Sequence, residues 1–348
     1  MSELETVRLP CGADDFHHHF RDGDLAKSVM RVTSKQFARA LAMPNLVPPV
    51  ITCEQALAYK KRLLSSIDTP CDLLMTLYLN TQTTCADVEF AATHKEENIV
   101  GIKFYPAGAT TNSDAGVRDL SPIFPVLKEM QRYELPLLIH GEAVGNHIDV
   151  FDREAEFLDS DFATIISYFP GLRIVVEHIS TAKAVDLVSS LGGNVAATIT
   201  AHHLLYNRNA IFDGGLRPHN YCLPILKSER DRRSLLEAAT SGNPKFFLGT
   251  DSAPHDIQAK ESCCAKAGCF TALNALELYA EAFSSIGRVH ALPDFASKFG
   301  AKFYRLPQNS TKERILVKRP QTIPESIDFG SGAVVPFMAG KTLSWTLL

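Results

Sequence analysis

The sequence has no basic block and no stripe in which aromatic and basic side chains alternate, and its formal net charge is −4. The electrostatic footprint of a nucleic-acid binder is therefore missing. No run approaches the roughly 20 apolar residues that a membrane span requires. The opening MSELETVRLP carries acidic residues where a secretory signal needs basic ones followed by an apolar stretch, which predicts a cytoplasmic protein. The eight cysteines include no C-x-x-C pair. Cys263, Cys264 and Cys269 cluster without a matching second pair, so reduced thiols are expected rather than a zinc knuckle or a disulfide framework. No G-x-G-x-x-G follows the first apolar run, which argues against a dinucleotide fold. No linker, low-complexity segment or clear repeat divides the chain.

What is present is 45% hydrophobic and 21% charged residues over 348 positions, enough for a large core. Short β-prone runs recur near 7–20, 38–45, 72–80, 99–107, 135–142, 172–180, 194–204 and 244–255. Amphipathic stretches of helical length separate them. Thr52, Thr181 and Ser228 stand at N-cap positions, Pro122 follows Ser121 as an N1 proline, and Gly192 and Gly242 stand as stops. Apolar strands alternating with helices indicate a parallel sheet covered on both faces. Eight such units predict an α/β protein built as one (β/α)₈ TIM-type barrel. The Pro- and Gly-containing segment from about 308 to 348 is expected to pack on the barrel as an extended appendage.

In such barrels the working face lies at the C-terminal ends of the strands. Those ends carry His17 and His19, Asn45, Lys103, His140, His178, His202 and His203, and Asp251 with His255. Each taken alone could be a hydrogen-bonded structural residue, a snorkelling lysine or a helix cap. Their joint arrival on one rim favours a metal site, because neutral imidazoles and carboxylates are the usual ligands of zinc. In DDFHHHFRDGD, strand alternation points His17 and His19 to one side and His18 to the other, toward the helices. It also predicts Arg21 on the side of the two outer histidines. Lys103 is the misfit, since an ammonium beside dications is repelled unless it is deprotonated or converted to an anion.

Taken in order, the blocks DDFHHHFRDGD, MPNLVPPV, GIKFYPAGATTNS, LLIHGE, VEHIS, ATITAHHL, RPHNYCLPILK and FLGTDSAPH resemble those of the dihydroorotases, in their shorter, stand-alone form, within the amidohydrolase superfamily. The resemblance runs from about residue 7 to 345. It implies two zinc ions per chain, bridged by a carboxylated Lys103 and a hydroxide. His17, His19 and Asp251 would bind one ion, and His140 and His178 the other. Asp251 would also be the catalytic base and acid. Arg21, Asn45 and His255 would clamp a substrate carboxylate, with Leu223 and Ala267 offering backbone contacts. The loop 107–116 would close as a lid, Thr110 and Thr111 donating hydrogen bonds. The implied reaction interconverts N-carbamoyl-L-aspartate and L-dihydroorotate in pyrimidine synthesis, so the expected partners are this small-molecule substrate and a second copy of the chain in a homodimer, with no nucleic acid and no membrane. His18 departs from the smaller or apolar residue common at the centre of the family's H-x-H.

Two other readings compete. A hydantoinase or dihydropyrimidinase shares the metal chemistry but takes less charged rings, which the Arg21, Asn45 and His255 set disfavours. A non-catalytic scaffold barrel would be expected to have lost ligands, and none is missing here.

Overall fold

A computed structural model describes residues 5–65, 71–309 and 312–348. Strand β1, Thr6–Leu9, precedes a barrel of eight parallel strands. These are β2 (Asp14–His18), β3 (Arg39–Ala42), β4 (Asp72–Tyr78), β5 (Ile99–Phe104), β6 (Leu137–His140), β7 (Ile174–Glu177), β8 (Val195–Ile199) and β9 (Phe246–Leu248). Each pairs with its sequence neighbours. The last returns to the first just above β9, where Asp251 N–H donates to His17 O at 2.9 Å and His19 N–H to Ser252 O at 3.1 Å.

Asp15 fastens the same seam. One of its oxygens accepts from the backbone N–H of His17 (3.1 Å) and of Thr250 (2.8 Å). The other accepts from the Thr250 hydroxyl (2.6 Å) and faces His18 Nδ1 at 2.7 Å. Buried polar groups demand such partners, and here they join the first and last units of the ring.

Helices α1 (Gly23–Gln36), α2 (Cys53–Leu64), α3 (Cys85–Thr93) and α4 (Phe124–Tyr133) cover the outer face of the first half. Thr52 closes a full capping box with Gln55 at the start of α2. Inside the ring the side chains stack in layers. Phe16, Leu41, Leu74, Leu138, Val175, Ala196 and Phe247 form an apolar layer, floored by Tyr304, whose ring stacks on Phe16 at 4.8 Å. Two residues further along several strands the inward positions turn polar, with His140 above Leu138, Glu177 above Val175 and Thr198 above Ala196. The floor of the barrel is thus hydrophobic and its mouth carries the chemistry.

Three expectations need correction. The run 7–20 is not one strand: a turn at Gly12 (φ +71°) separates β1 from β2, and β1 pairs instead with β10 (Arg314–Val317) of the appendage. The run 194–204 leaves its strand at Ile199. His202 and His203 ride on a short helix, Ala201–Leu205, capped by the Thr200 side chain. Pro122 sits in a single 3₁₀ turn, and α4 begins at Phe124 with Pro125 in its first turn. The appendage adds Thr346–Leu347 to the other edge of β10, so both chain ends share a three-stranded sheet. Its Trp345 is fully buried, with Nε1–H on the Ser284 hydroxyl. Among the described residues no helix is long and apolar enough to cross a membrane.

Candidate active site

The H-x-H strand does not alternate throughout. Phe16 and His17 both turn inward, at an irregularity in the β2–β3 register between Asp15 and His18. Beyond it alternation resumes. His19 points in, and His18 points out to the helix layer, held between Asp15 and the Thr33 hydroxyl of α1 at 3.2 Å. Gly249 keeps this corner open, because a Cβ there would stand 2.7 Å from that of Thr198 and 3.0 Å from that of His17.

Four imidazoles form an arc across the mouth. Ring centroids lie 5.2 Å apart for His19 and His17, 4.9 Å for His17 and His178, and 4.8 Å for His178 and His140. Carboxylates behind the arc set two of the tautomers. His17 Nδ1 lies 2.9 Å from Glu177 Oε2, and His140 Nε2 lies 2.8 Å from Glu142 Oε2. A ring N–H directed at each carboxylate leaves a lone pair on His17 Nε2 and on His140 Nδ1, both facing the cavity. His17 Nε2 is then 3.3 Å from His19 Nε2, and His140 Nδ1 is 3.2 Å from His178 Nε2. Asp251 Oδ1 approaches His19 Nε2 to 3.0 Å and His17 Nε2 to 3.4 Å.

Burial, joined by the positive charge of Lys103, holds His17, His19 and His178 well below the usual imidazole range, so they are neutral donors. Burial raises Asp251 to about 7 against the pull of Lys103, His140 and Arg21. It lowers Lys103 to about 8. The Lys103 ammonium nitrogen is wholly buried without a hydrogen-bond partner, 5.2 Å from the centre of the Tyr105 ring.

Such a donor set fits divalent cations. Lone pairs converge in two groups, the ligand atoms of His17, His19 and Asp251 all lying within 4.8 Å of one another. The orphaned Lys103 amine is what an N-carboxylation would satisfy. Backbone strain marks the same place. Arg21, His178 and Asp251 adopt φ of 64°, 40° and 43°, a region that residues with side chains take uncommonly.

One enclosed cavity is lined by His17, His19, Arg21, Asn45, Thr110, Thr111, His140, His178, Leu223, Asp251 and Ala267. Lys103 lies buried beneath it, and His255 stands at its edge. Arg21 does not arrive by alternation, since β2 ends at His18. A left-handed turn swings it across the mouth, where Nε–H donates to Pro254 O (3.1 Å) and Nη2 meets His255 Nε2 at 3.0 Å. The Tyr59 hydroxyl of α2 secures that turn by donating to Arg21 O at 2.6 Å. Burial and the neighbouring guanidinium push His255 down to about 2, so its ring is neutral, with Nε2 3.0 Å from both Arg21 Nη2 and Ala267 O. Segment 107–116 folds over the cavity. Asn45 Nδ2 donates to Thr111 O (3.0 Å), Asn112 Nδ2 returns to Asn45 O (3.0 Å), and the Thr111 hydroxyl reaches Ala267 O at 3.3 Å.

His202 and His203 do not join the arc. They lie beside Cys222, with His203 held between the Thr200 hydroxyl (2.7 Å) and Pro224 O (3.0 Å). Sequence reasoning missed Tyr105, Ala253 and Gly268 of the lining, and Glu142 and Glu177 behind the histidines. A signal for the carboxylates was present. Glu177 directly precedes His178, and Glu142 follows His140 by two, in the blocks VEHIS and LLIHGE.

A parallel eight-stranded barrel whose mouth gathers an H-x-H strand, two further histidines, a buried lysine and an aspartate has the architecture of the amidohydrolases. The amidohydrolase family model matches residues 12–310. A dihydroorotase of Hahella chejuensis is 51% identical over 347 residues, covering 99% of each chain. Among solved structures, dihydroorotase from Saccharomyces cerevisiae in complex with 5-fluoroorotic acid has a TM-score of 0.92 at 34% identity, covering 99% of each chain. The L-hydantoinase of Arthrobacter aurescens shares the fold, with a TM-score of 0.81 at 17% identity over 98% of this chain and 83% of its own. The chain belongs to the amidohydrolase family and, within it, to the dihydroorotases.

Proposed function

We propose that the chain interconverts N-carbamoyl-L-aspartate and L-dihydroorotate, using two zinc ions held by His17, His19, His140, His178, Asp251 and an N-carboxylated Lys103. The observation that carries this is the meeting, in one cavity, of the histidine arc and Asp251 with a guanidinium that forms no ion pair with a carboxylate among the described residues. When bound, the two cations polarise the scissile carbonyl and bring the pKa of a water into the neutral range. A neutral amine is the form of lysine that adds carbon dioxide, and burial, by lowering Lys103 to about 8, enlarges the share of that form near neutral pH.

The remaining work belongs to the chain. Arg21 presents a planar fork that suits the unreacting carboxylate of the substrate. Asn45 and His255 flank it, and the backbones of Leu223 and Ala267 face the ring. In hydrolysis, water adds its oxygen to the ring carbonyl carbon. Asp251 takes the proton and delivers it to the departing ring nitrogen as the C–N bond breaks. In cyclisation Asp251 takes the ureido N–H proton and returns it to the departing oxygen, so that one water leaves. Thr110 and Thr111 keep bulk water out while the segment above the cavity is closed. Resemblance to the family also supports a cytoplasmic homodimer, which sedimentation of the purified protein would test.

The deciding experiment compares turnover of dihydroorotate and dihydrouracil by protein of measured zinc content, before and after chelation and zinc return. Dihydroorotate turnover that disappears with the metal and comes back with it is expected. Preference for dihydrouracil would favour a hydantoinase-type activity instead. An Arg21→Ala variant should raise KM for dihydroorotate while leaving the melting temperature unchanged.

A further inference from the structure

Lys260 ends a short helix, Ile257–Lys260, outside the set of residues given a role above, and its side chain is buried. Its ammonium donates to three backbone carbonyls, Tyr221 O at 2.9 Å, Lys266 O at 2.8 Å and Gly268 O at 2.7 Å. An ammonium has three N–H bonds, and all three are used. Among the described residues no carboxylate pairs with it. Burial of an unpaired charge is costly, and an apolar side chain of similar length would fill the same space at lower desolvation cost. The charge therefore needs a reason beyond packing.

The three carbonyls supply one. Two of them flank Ala267 on either side, and the third lies two residues before Leu223. Ala267 and Leu223 line the cavity together with Arg21 and Asp251. Ala267 O is a node in its own right, accepting from the Thr111 hydroxyl at 3.3 Å and lying 3.0 Å from His255 Nε2. Gly268 N–H bonds Tyr221 O at 2.9 Å, so the two strips of backbone are already laid side by side where the ammonium grips them. Gly268 has φ of +147°, and a Cβ on it would come within 2.5 Å of Ala253 O. Neither strip belongs to a strand or helix that would fix it.

We propose that Lys260 is a positioning residue for substrate binding: by drawing the carbonyls of Tyr221, Lys266 and Gly268 onto one ammonium, it fixes the Leu223 and Ala267 backbones against the substrate ring. The inference rests on the functional reading above, in which those backbones face the substrate. A cation at this point also adds positive potential behind Arg21 and His255, on the side where a substrate carboxylate enters.

The test is steady-state kinetics on Lys260→Met and Lys260→Arg with dihydroorotate, alongside zinc content and melting temperature. In Lys260→Met, KM should rise tenfold or more while kcat falls less than threefold and zinc per chain stays at the wild-type value. Lys260→Arg keeps a cation and several donors, and should recover part of the loss, with KM three- to fivefold above wild type. A purely structural role would lower the active fraction, and so kcat, without moving KM. If Lys260→Met folds poorly, Lys260→Arg alone decides, because a wild-type KM there overturns the proposal. A wild-type KM in Lys260→Met overturns it directly. Wild-type protein that fails to turn over dihydroorotate would sink the functional reading instead, which keeps the two failures apart.

Discussion

Asp251 shows how much one residue is asked to do. Its carboxylate faces two histidines, burial lifts it toward neutrality, and its backbone sits in the left-handed region. Asparagine tolerates that conformation well, so Asp251→Asn should keep the fold and melting temperature. It removes the proton carrier, and activity should fall by roughly 10²- to 10⁴-fold. Retention of more than a tenth of wild-type kcat would deny Asp251 the proton-transfer role. The outer histidines of the opening triplet were legible in the sequence because strand alternation is a local rule. The tautomer of His17 was not, because the carboxylate that sets it, Glu177, lies 160 residues further along the chain. His18, read as the outward residue, sits between Asp15 and Thr33 in the helix layer.

At the scale of elements, the eight strands and most helix caps could be read from apolar runs and from Thr52, Thr181 and Ser228, which all serve as N-caps. What could not be read were the departures from regularity. The bulge that turns Phe16 and His17 to one side, and the turn that carries Arg21 inward, depend on partners far along the chain such as Thr250 and Tyr59. Segment 107–116 is held over the cavity by a few polar contacts rather than by a core. Thr111→Val deletes the donor to Ala267 O. Loss of one hydrogen bond of about 0.5–1.5 kcal/mol should raise KM some 2- to 10-fold with little change in melting temperature. An unchanged KM would mean that this contact does not survive substrate binding.

For the whole molecule, the barrel floor bears on stability. Asp14, at the base of β2, is buried against Arg39 and Asn309, and burial outweighs both in raising its pKa to about 7. Its folded pKa lies above its unfolded value of 3.8, so the folded state holds the proton more tightly. The resulting stability is fully present below about pH 4 and is lost as pH rises through about 7. Urea midpoints at pH 5 and pH 8 should therefore differ less in Asp14→Asn than in wild type. An equal difference in the two proteins would show that Asp14 titrates normally in the fold.

The seam between the first and last barrel strands has a consequence in time as well as in space. His17 and His19 are made early in synthesis, whereas Asp251, hydrogen-bonded to His17 through the backbone, is made only after more than two-thirds of the chain. No growing chain on the ribosome can assemble the three-residue ligand group until the eighth strand has emerged and closed the ring. A fragment cut short of that strand would carry the most recognisable motif of the sequence and still lack a complete place to bind its first ion. In the proposed site, capture of that metal would therefore wait for the eighth strand, and a chain cut before it would be inactive.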